Sequence, residues 1–246
     1  MQTYDNLDQL SDAAAAEVVR VARESVNARG RFTLALAGGN TPRATYERLA
    51  TRHRNDVDWT RTVIVFGDER VVPVDDARSN YRMAREALLS RVPIPPDAVH
   101  AVATDAASAA EAARLYDDTL RRELGQASVA GATVDLALLG VGPDGHTASL
   151  FPGTQAVLEQ TRWAVPVDAP TTVQPAVPRV TTTLPFLNAA RTAMFLVAGK
   201  DKRPVMREIL DQADSARRFP AALVAPRGRL LWMIDRTAMP DDLSNA

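Results

Sequence analysis

Three histidines and no cysteine leave this chain few side chains able to take a proton or attack a carbon near neutral pH. His146 stands out because it closes the stretch Gly140-Val141-Gly142-Pro143-Asp144-Gly145-His146, directly after the apolar run 134–139. The stretch spells G-x-G-x-x-G, the pattern that seats a dinucleotide pyrophosphate on a helix N-terminus. That fingerprint needs a long helix behind it, and here Pro152-Gly153 arrives seven residues after Gly145. Asp168 stands near the position of the ribose-binding acid, yet irregular sequence separates it from the glycines. The context favours a sharp turn that carries Asp144 and His146 to a strand end. There His146 serves as a general base with Asp144 orienting its ring, or it merely hydrogen-bonds the turn; the residues alone leave both readings open. His53, between arginines of a polar helix, reads as a surface residue. His100, after Pro95-Pro96, reads as a core or edge histidine.

Other clusters suited to chemistry also follow strands. GGNTPR (38–43) sets Gly39, Asn40 and Thr41 between a strand and a helix, where free N–H groups and the helix dipole favour an anion. A plain capped turn would look the same. Arg70 in GDER, Arg179 in PRVTTTLP and Lys200 in AGKDK are candidate phosphate ligands. Their bland alternatives are pairing of Arg70 with Asp68 or Glu69, a surface salt bridge for Arg179, and solvation for Lys200. Only two of the 29 basic residues are lysines, Lys200 and Lys202, so a lysine after a strand draws attention as a compact charge for phosphate. No Walker A loop, GxSxG elbow, HExxH or Cys/His metal spacing occurs. Together these residues suggest an enzyme acting on a small phosphorylated metabolite.

The elements that must position these clusters alternate. Apolar spacing predicts helices over 7–29, 41–54 (Thr41 as N-cap), 80–92 (Ser79 or Asn80 as cap), 106–125 and 202–210. Continuous apolar runs predict strands at 32–39, 62–70, 98–102, 134–142, 163–168, 192–200 and 230–235. Such strands belong to a mostly parallel, Rossmann-like α/β sheet with helices on both faces, in which ligands sit outside the carboxyl ends of the strands. A Pro-rich stretch, 166–185, suggests an excursion at the sheet edge. The 246 residues read as one domain, 1–246. A net charge of -1 and 5% aromatics offer nucleic acid no platform. No apolar run nears the roughly 20 residues that cross a bilayer. Asp5, Asp8, Asp12 and Glu17 are unlike a targeting peptide, so a cytoplasmic protein without a membrane partner is expected.

LALAGGNTPR, VIVFGDERVVP with the later SNY, VDLALLGVGPDGHTASLFPG, and PRVTTTLP followed by FLVAGKDK occur in that order between about 34 and 203. In this the chain resembles the 6-phosphogluconolactonases, within a superfamily that includes glucosamine-6-phosphate deaminases. Deaminases typically continue the GH turn toward an Asn-Glu pair and end the second strand in Asp-Glu-Tyr. Here the turn runs on as His-Thr-Ala-Ser-Leu-Phe-Pro with no acid until Glu159, and the strand ends in Asp-Glu-Arg. Asn40 departs from the serine frequent in the family, but can still cap and donate. The resemblance implies a NagB-like fold, a sugar-phosphate lactone substrate, and hydrolysis of 6-phosphoglucono-1,5-lactone, with a physiological place in the oxidative pentose phosphate pathway. It implies His146 as general base, Asp144 as its orienter, and Arg70, Lys200, Arg179 and the Gly39-Asn40-Thr41 loop at the substrate. A lactone is an activated ester, so neither metal nor cofactor is expected. A non-catalytic sugar-phosphate sensor is the alternative from another class.

Overall fold

Every residue of three successive strands, β2 (Phe32–Leu36), β5 (Leu136–Leu139) and β8 (Thr192–Val197), is buried in the computed structural model, which describes residues 1–125, 134–171, 173–211 and 214–240. Burial on both faces is what continuous apolar strands require, and it needs cover above and below the sheet. With β1 (Gln2–Tyr4), β3 (Thr62–Phe66) and β9 (Arg229–Asp235) they form a six-stranded sheet in the order β1-β9-β8-β5-β2-β3. All five pairings are parallel. A second sheet, absent from the expectation, is antiparallel: β4 (Asp68–Arg70), β7 (Arg179–Thr182) and β6 (Ala164–Val167), in the order β4-β7-β6.

The run 62–70, expected as one strand, thus serves two sheets. Gly67 is the junction: its N–H donates to Leu36 O at 2.8 Å, and its carbonyl accepts from Thr182 N and Oγ1, both at 2.8 Å. The Pro-rich excursion supplies β7 and the end of β6, and Thr172 within it lies outside the described residues. Residues 98–102, also expected as a strand, form only a parallel bridge between Val99 and Ile64. His100 donates its N–H to Ile64 O and its ring stands 3.6 Å from Glu123, an edge position.

The helices are α1 (Leu7–Arg29), α2 (Asn40–Thr51), α3 (Asn80–Ala87), α4 (Ala109–Gly125), α5 (Leu184–Asn188) and α6 (Arg203–Leu210). Asn6 caps α1 by accepting from Gln9 N, and Gly30 ends it in the left-handed region at φ 76°. The cap of α2 is Gly39 at φ 100°, not Thr41, because the backbone swings through a region that only glycine enters freely. Two buried tyrosines tie helices to strand ends. Tyr46 of α2 donates to Ala37 O (2.8 Å) and accepts from Ala37 N (2.9 Å), just past β2. Tyr116 of α4 does the same for Phe66 at the end of β3, at 2.8 and 2.6 Å. Burial pushes both phenols up, so each hydroxyl keeps its proton.

Tyr116→Phe keeps the ring and orphans both peptide groups of Phe66. It should cost about 1–3 kcal/mol, read as a lower urea midpoint with an unchanged m-value.

Candidate functional site

The loops that leave the carboxyl ends of β2, β3, β5 and β8 enclose a cleft of about 390 Å³. Gly39, Asn40, Thr41, Arg70, Arg179 and His146 all line it, together with Asp68, Val173, Gln174 and Lys202. Six of the eight expected site residues therefore share one wall-to-wall space. Asp144 stands behind His146, bonded to it. Lys200 is the exception: β8 stops at Val197, Gly199 turns at φ 106°, and the following single turn leaves Lys200 exposed and outside the lining. The lysine on the cleft is Lys202, half-buried and paired with Asp201 at 2.7 Å. The two lysines of this turn thus divide, Lys202 onto the cleft and Lys200 outside its lining.

The histidine turn is tight. Gly142 donates to His146 O and accepts from Gly145 N, both at 2.9 Å. His146 Nδ1 donates to Asp144 Oδ1 at 2.5 Å, and the His146 N–H reaches the same oxygen at 3.2 Å. Burial alone would raise the Asp144 carboxyl, but the hydrogen bonds and charge of His146 hold it below the usual carboxylate range. An ionised carboxylate only accepts, so Nδ1 carries a proton, and in the neutral ring the lone pair is on Nε2. Gly142 is obligatory here: a Cβ would lie 2.1 Å from ring atoms of His146 and 2.7 Å from Asp144 Oδ1. The ring also packs on Phe151, with centroids 4.8 Å apart.

The cationic side is built on the small sheet. Arg70 and Arg179 face each other directly in the β4–β7 register, a like-charge pair that an anion between them would relieve. Among the described residues no acid forms an ion pair with either. Arg70 donates from Nη1 to Arg78 O at 2.7 Å, and its Nε is buried without a partner. The alternative pairing with Glu69 or Asp68 does not form: Glu69 accepts from the backbone N–H groups of Arg70, Asn80 and Tyr81, at 2.7, 2.8 and 2.6 Å. Arg179 is 2% exposed, far from a surface ion pair. Its Nη2 donates to Pro175 O at 2.9 Å, its Nη1 reaches Ser149 Oγ at 3.4 Å, and its Nε has no partner. Burial pulls its pKa down against the opposing charge of Asp68. Buried guanidinium groups with spare donors are built to receive an anion.

Residues 5–232 match the family model "Glucosamine-6-phosphate isomerases/6-phosphogluconolactonase". The chain belongs to this family. It is 37% identical to the 6-phosphogluconolactonase of Nostoc sp. over 87% of this chain and 86% of the relative. It is 40% identical to that of Homo sapiens over 92% and 87%. The solved structure of the Trypanosoma cruzi 6-phosphogluconolactonase superposes with a TM-score of 0.85 at 30% identity, covering 99% and 96% of the two chains. The six-stranded parallel sheet is thus the family's NagB-like fold. Among the described residues, no group of three or more His, Asp or Glu side chains is arranged to hold a metal ion. No described helix is long and apolar enough to cross a membrane.

In this family setting Asp68, Ser149 and Phe151 are the residues that sequence reasoning missed at the site. Asp68 was legible as part of GDER, but only as a partner for Arg70. Ser149 and Phe151 carry no signal by type; the fold brings them to Arg179.

Gly142→Ala should displace the imidazole while the sheet stays folded, at a cost of roughly 1–3 kcal/mol for overpacking. A low-field proton signal of the Nδ1–H···Oδ1 bond should be seen in the NMR spectrum of the parent protein and should vanish from that of the variant.

Proposed function

We propose that this protein hydrolyses 6-phospho-D-glucono-1,5-lactone to 6-phospho-D-gluconate, the second step of the oxidative pentose phosphate pathway. The observation that carries the reading is one cleft holding both an Asp144-oriented imidazole and two acid-free arginines. Relatives bearing the lactonase name support it.

In this reading His146 Nε2 takes a proton from a water as that water attacks the lactone carbonyl. The imidazolium is stabilised by Asp144, and its proton goes to the ring oxygen as the C–O bond breaks, so one water is consumed and a carboxylic acid is released. The acid ionises and delivers one proton to solvent. Arg70, Arg179 and the backbone of the Gly39-Asn40-Thr41 loop hold the phosphate, with Lys202 taking the part expected of Lys200. Binding energy at the phosphate, remote from the reacting carbon, holds water, base and carbonyl in line.

The isomerase or deaminase reading needs an acid beyond the histidine turn. Glu159, the first one, is committed elsewhere: its Oε1 accepts from the N–H groups of Gln160, Thr161 and Arg162 at 3.0, 2.8 and 3.1 Å, which holds its pKa down at about 2. It does not line the cleft. We further infer that residues 1–246 act as one catalytic domain in the cytoplasm, consistent with the absence of a membrane-spanning helix among the described residues.

Proton release on adding fresh lactone, against the uncatalysed background, tests the reading. His146→Ala should lower kcat by about 10²–10⁴. Arg70→Ala and Lys202→Ala should instead raise KM, each by roughly tenfold to a hundredfold, the worth of a charged hydrogen bond, while Lys200→Ala leaves KM within about twofold. Release no faster than background would remove the lactonase assignment.

The orienting carboxylate gives a second test. Asp144→Asn should reduce kcat by about tenfold or more and leave KM nearly unchanged, since it acts on the base rather than on the phosphate. Because folding lowers the Asp144 pKa, the parent carboxylate adds stability at pH values above its unfolded value, and that contribution fades as pH falls through the folded one. The Asp144→Asn protein should therefore lose less stability than the parent between about pH 5 and pH 3, measured as urea midpoint against pH.

A further inference from the structure

We propose that Ser149 is a positioning residue: its hydroxyl stands between Asp68 and Arg179 and keeps the Arg179 guanidinium available to a substrate anion. The proposal takes the identity of that anion, a sugar phosphate, from the function proposed above.

The geometry is a three-member chain. Ser149 Oγ donates its single proton to Asp68 Oδ2 at 2.6 Å and turns a lone pair toward Arg179 Nη1 at 3.4 Å. The second Asp68 oxygen accepts from Asn80 Nδ2 at 3.1 Å, so both of its oxygens are occupied by neutral donors. Among the described residues Arg179 has no ion pair with Asp68 or with any other carboxylate; its partners are Pro175 O, the Ser149 hydroxyl and the face of Phe151, 5.3 Å from the ring centroid. Both charged residues line the cleft, and Ser149, fully buried, lies between them.

Ser149 itself cannot wander. Its N–H donates to Thr181 Oγ1 at 3.0 Å, two residues along β7 from Arg179. The hydroxyl is therefore placed by the same strand that carries the guanidinium. A neutral group so placed costs the buried cation little, whereas direct contact with Asp68 would commit it. In a low-dielectric interior, removal of the hydroxyl invites guanidinium and carboxylate to close on each other. A substrate phosphate must then compete with Asp68 for the same N–H groups. The register that sets Arg70 opposite Arg179 makes the loss felt at both arginines.

The test is Ser149→Ala, with the Kd of 6-phosphogluconate measured by calorimetry and KM and kcat measured on the lactone. Kd and KM should rise about tenfold, with kcat within about threefold of the parent. Adding Asp68→Asn, which removes the competing charge, should recover most of the lost affinity. An unchanged Kd in Ser149→Ala, or a loss that Asp68→Asn does not recover, overturns the proposal. So does a fall in kcat with Kd unchanged. If Ser149→Ala fails to fold by circular dichroism, Ser149→Cys keeps the volume with a weak hydrogen-bonding thiol and should show the same loss and recovery. Inorganic phosphate serves as a second probe: should the parent protein fail to hydrolyse the lactone, the same pattern of loss and recovery with phosphate upholds the role of Ser149, and its absence refutes it.

Discussion

A parallel strand that stops inside a protein leaves peptide groups that have lost their ladder and cannot reach water. The carboxyl edge of this sheet is organised around that constraint. Ala37 and Phe66, where β2 and β3 end, each give both peptide groups to a tyrosine hydroxyl from a helix. Gly67 takes Leu36 on one side and Thr182 on the other. Because side chains and a second sheet satisfy these groups, no further strand has to cover the edge. The loops that follow are fixed at their roots and open at their tips, and the cleft is the space between the tips.

The second sheet exists to place charge at that opening. Its acids and its bases are kept from neutralising one another. Glu69 is spent on the N–H of Arg70 and on two N–H groups at the start of α3, where burial raises its pKa against their pull. Asp68 is spent on a serine and an asparagine. The arginines in turn are spent on carbonyls, at Arg78 for Arg70 and at Pro175 for Arg179. Such cross-commitment leaves unsatisfied donors at both guanidinium groups, and both arginines line the cleft. A single buried Arg–Asp pair in the same place would be quieter and would recognise nothing.

How much of this was readable follows from the physics of each element. The long amphipathic α1, the buried strands and the GPDGH turn announce themselves, because burial period and turn chemistry are local. Six site residues converge as expected, because loops after parallel strands must meet at one edge. Other features escaped. The split of 62–70 depends on Gly67 pairing with residues 36 and 182, which no local pattern encodes. The strand expected at 98–102 lacks the partner that would extend one bridge into a ladder. The choice between Lys200 and Lys202 turns on the φ of Gly199 and the sense of a single helical turn, a two-residue question that spacing cannot answer. Ser149 escaped for a related reason, since its meaning lies in Asp68 and Arg179, 81 and 30 residues away.

The base and the cationic wall must also be kept apart, and the same turn does it. Phe151 packs one way against the His146 ring, at 4.8 Å, and the other way under the Arg179 guanidinium, at 5.3 Å. A guanidinium packed directly on the imidazole would oppose the positive charge that a base acquires in the reaction. An aromatic ring in between satisfies the cation through its face and presents the histidine with an apolar neighbour, while Asp144 on the far side supplies the favourable charge. Six residues of chain, from His146 to Phe151, therefore carry the base, the serine that frees the arginine and the ring that separates the two. That concentration of roles accounts for why HTASLFP, rather than the glycines before it, separates this chain from a simple phosphate-binding turn.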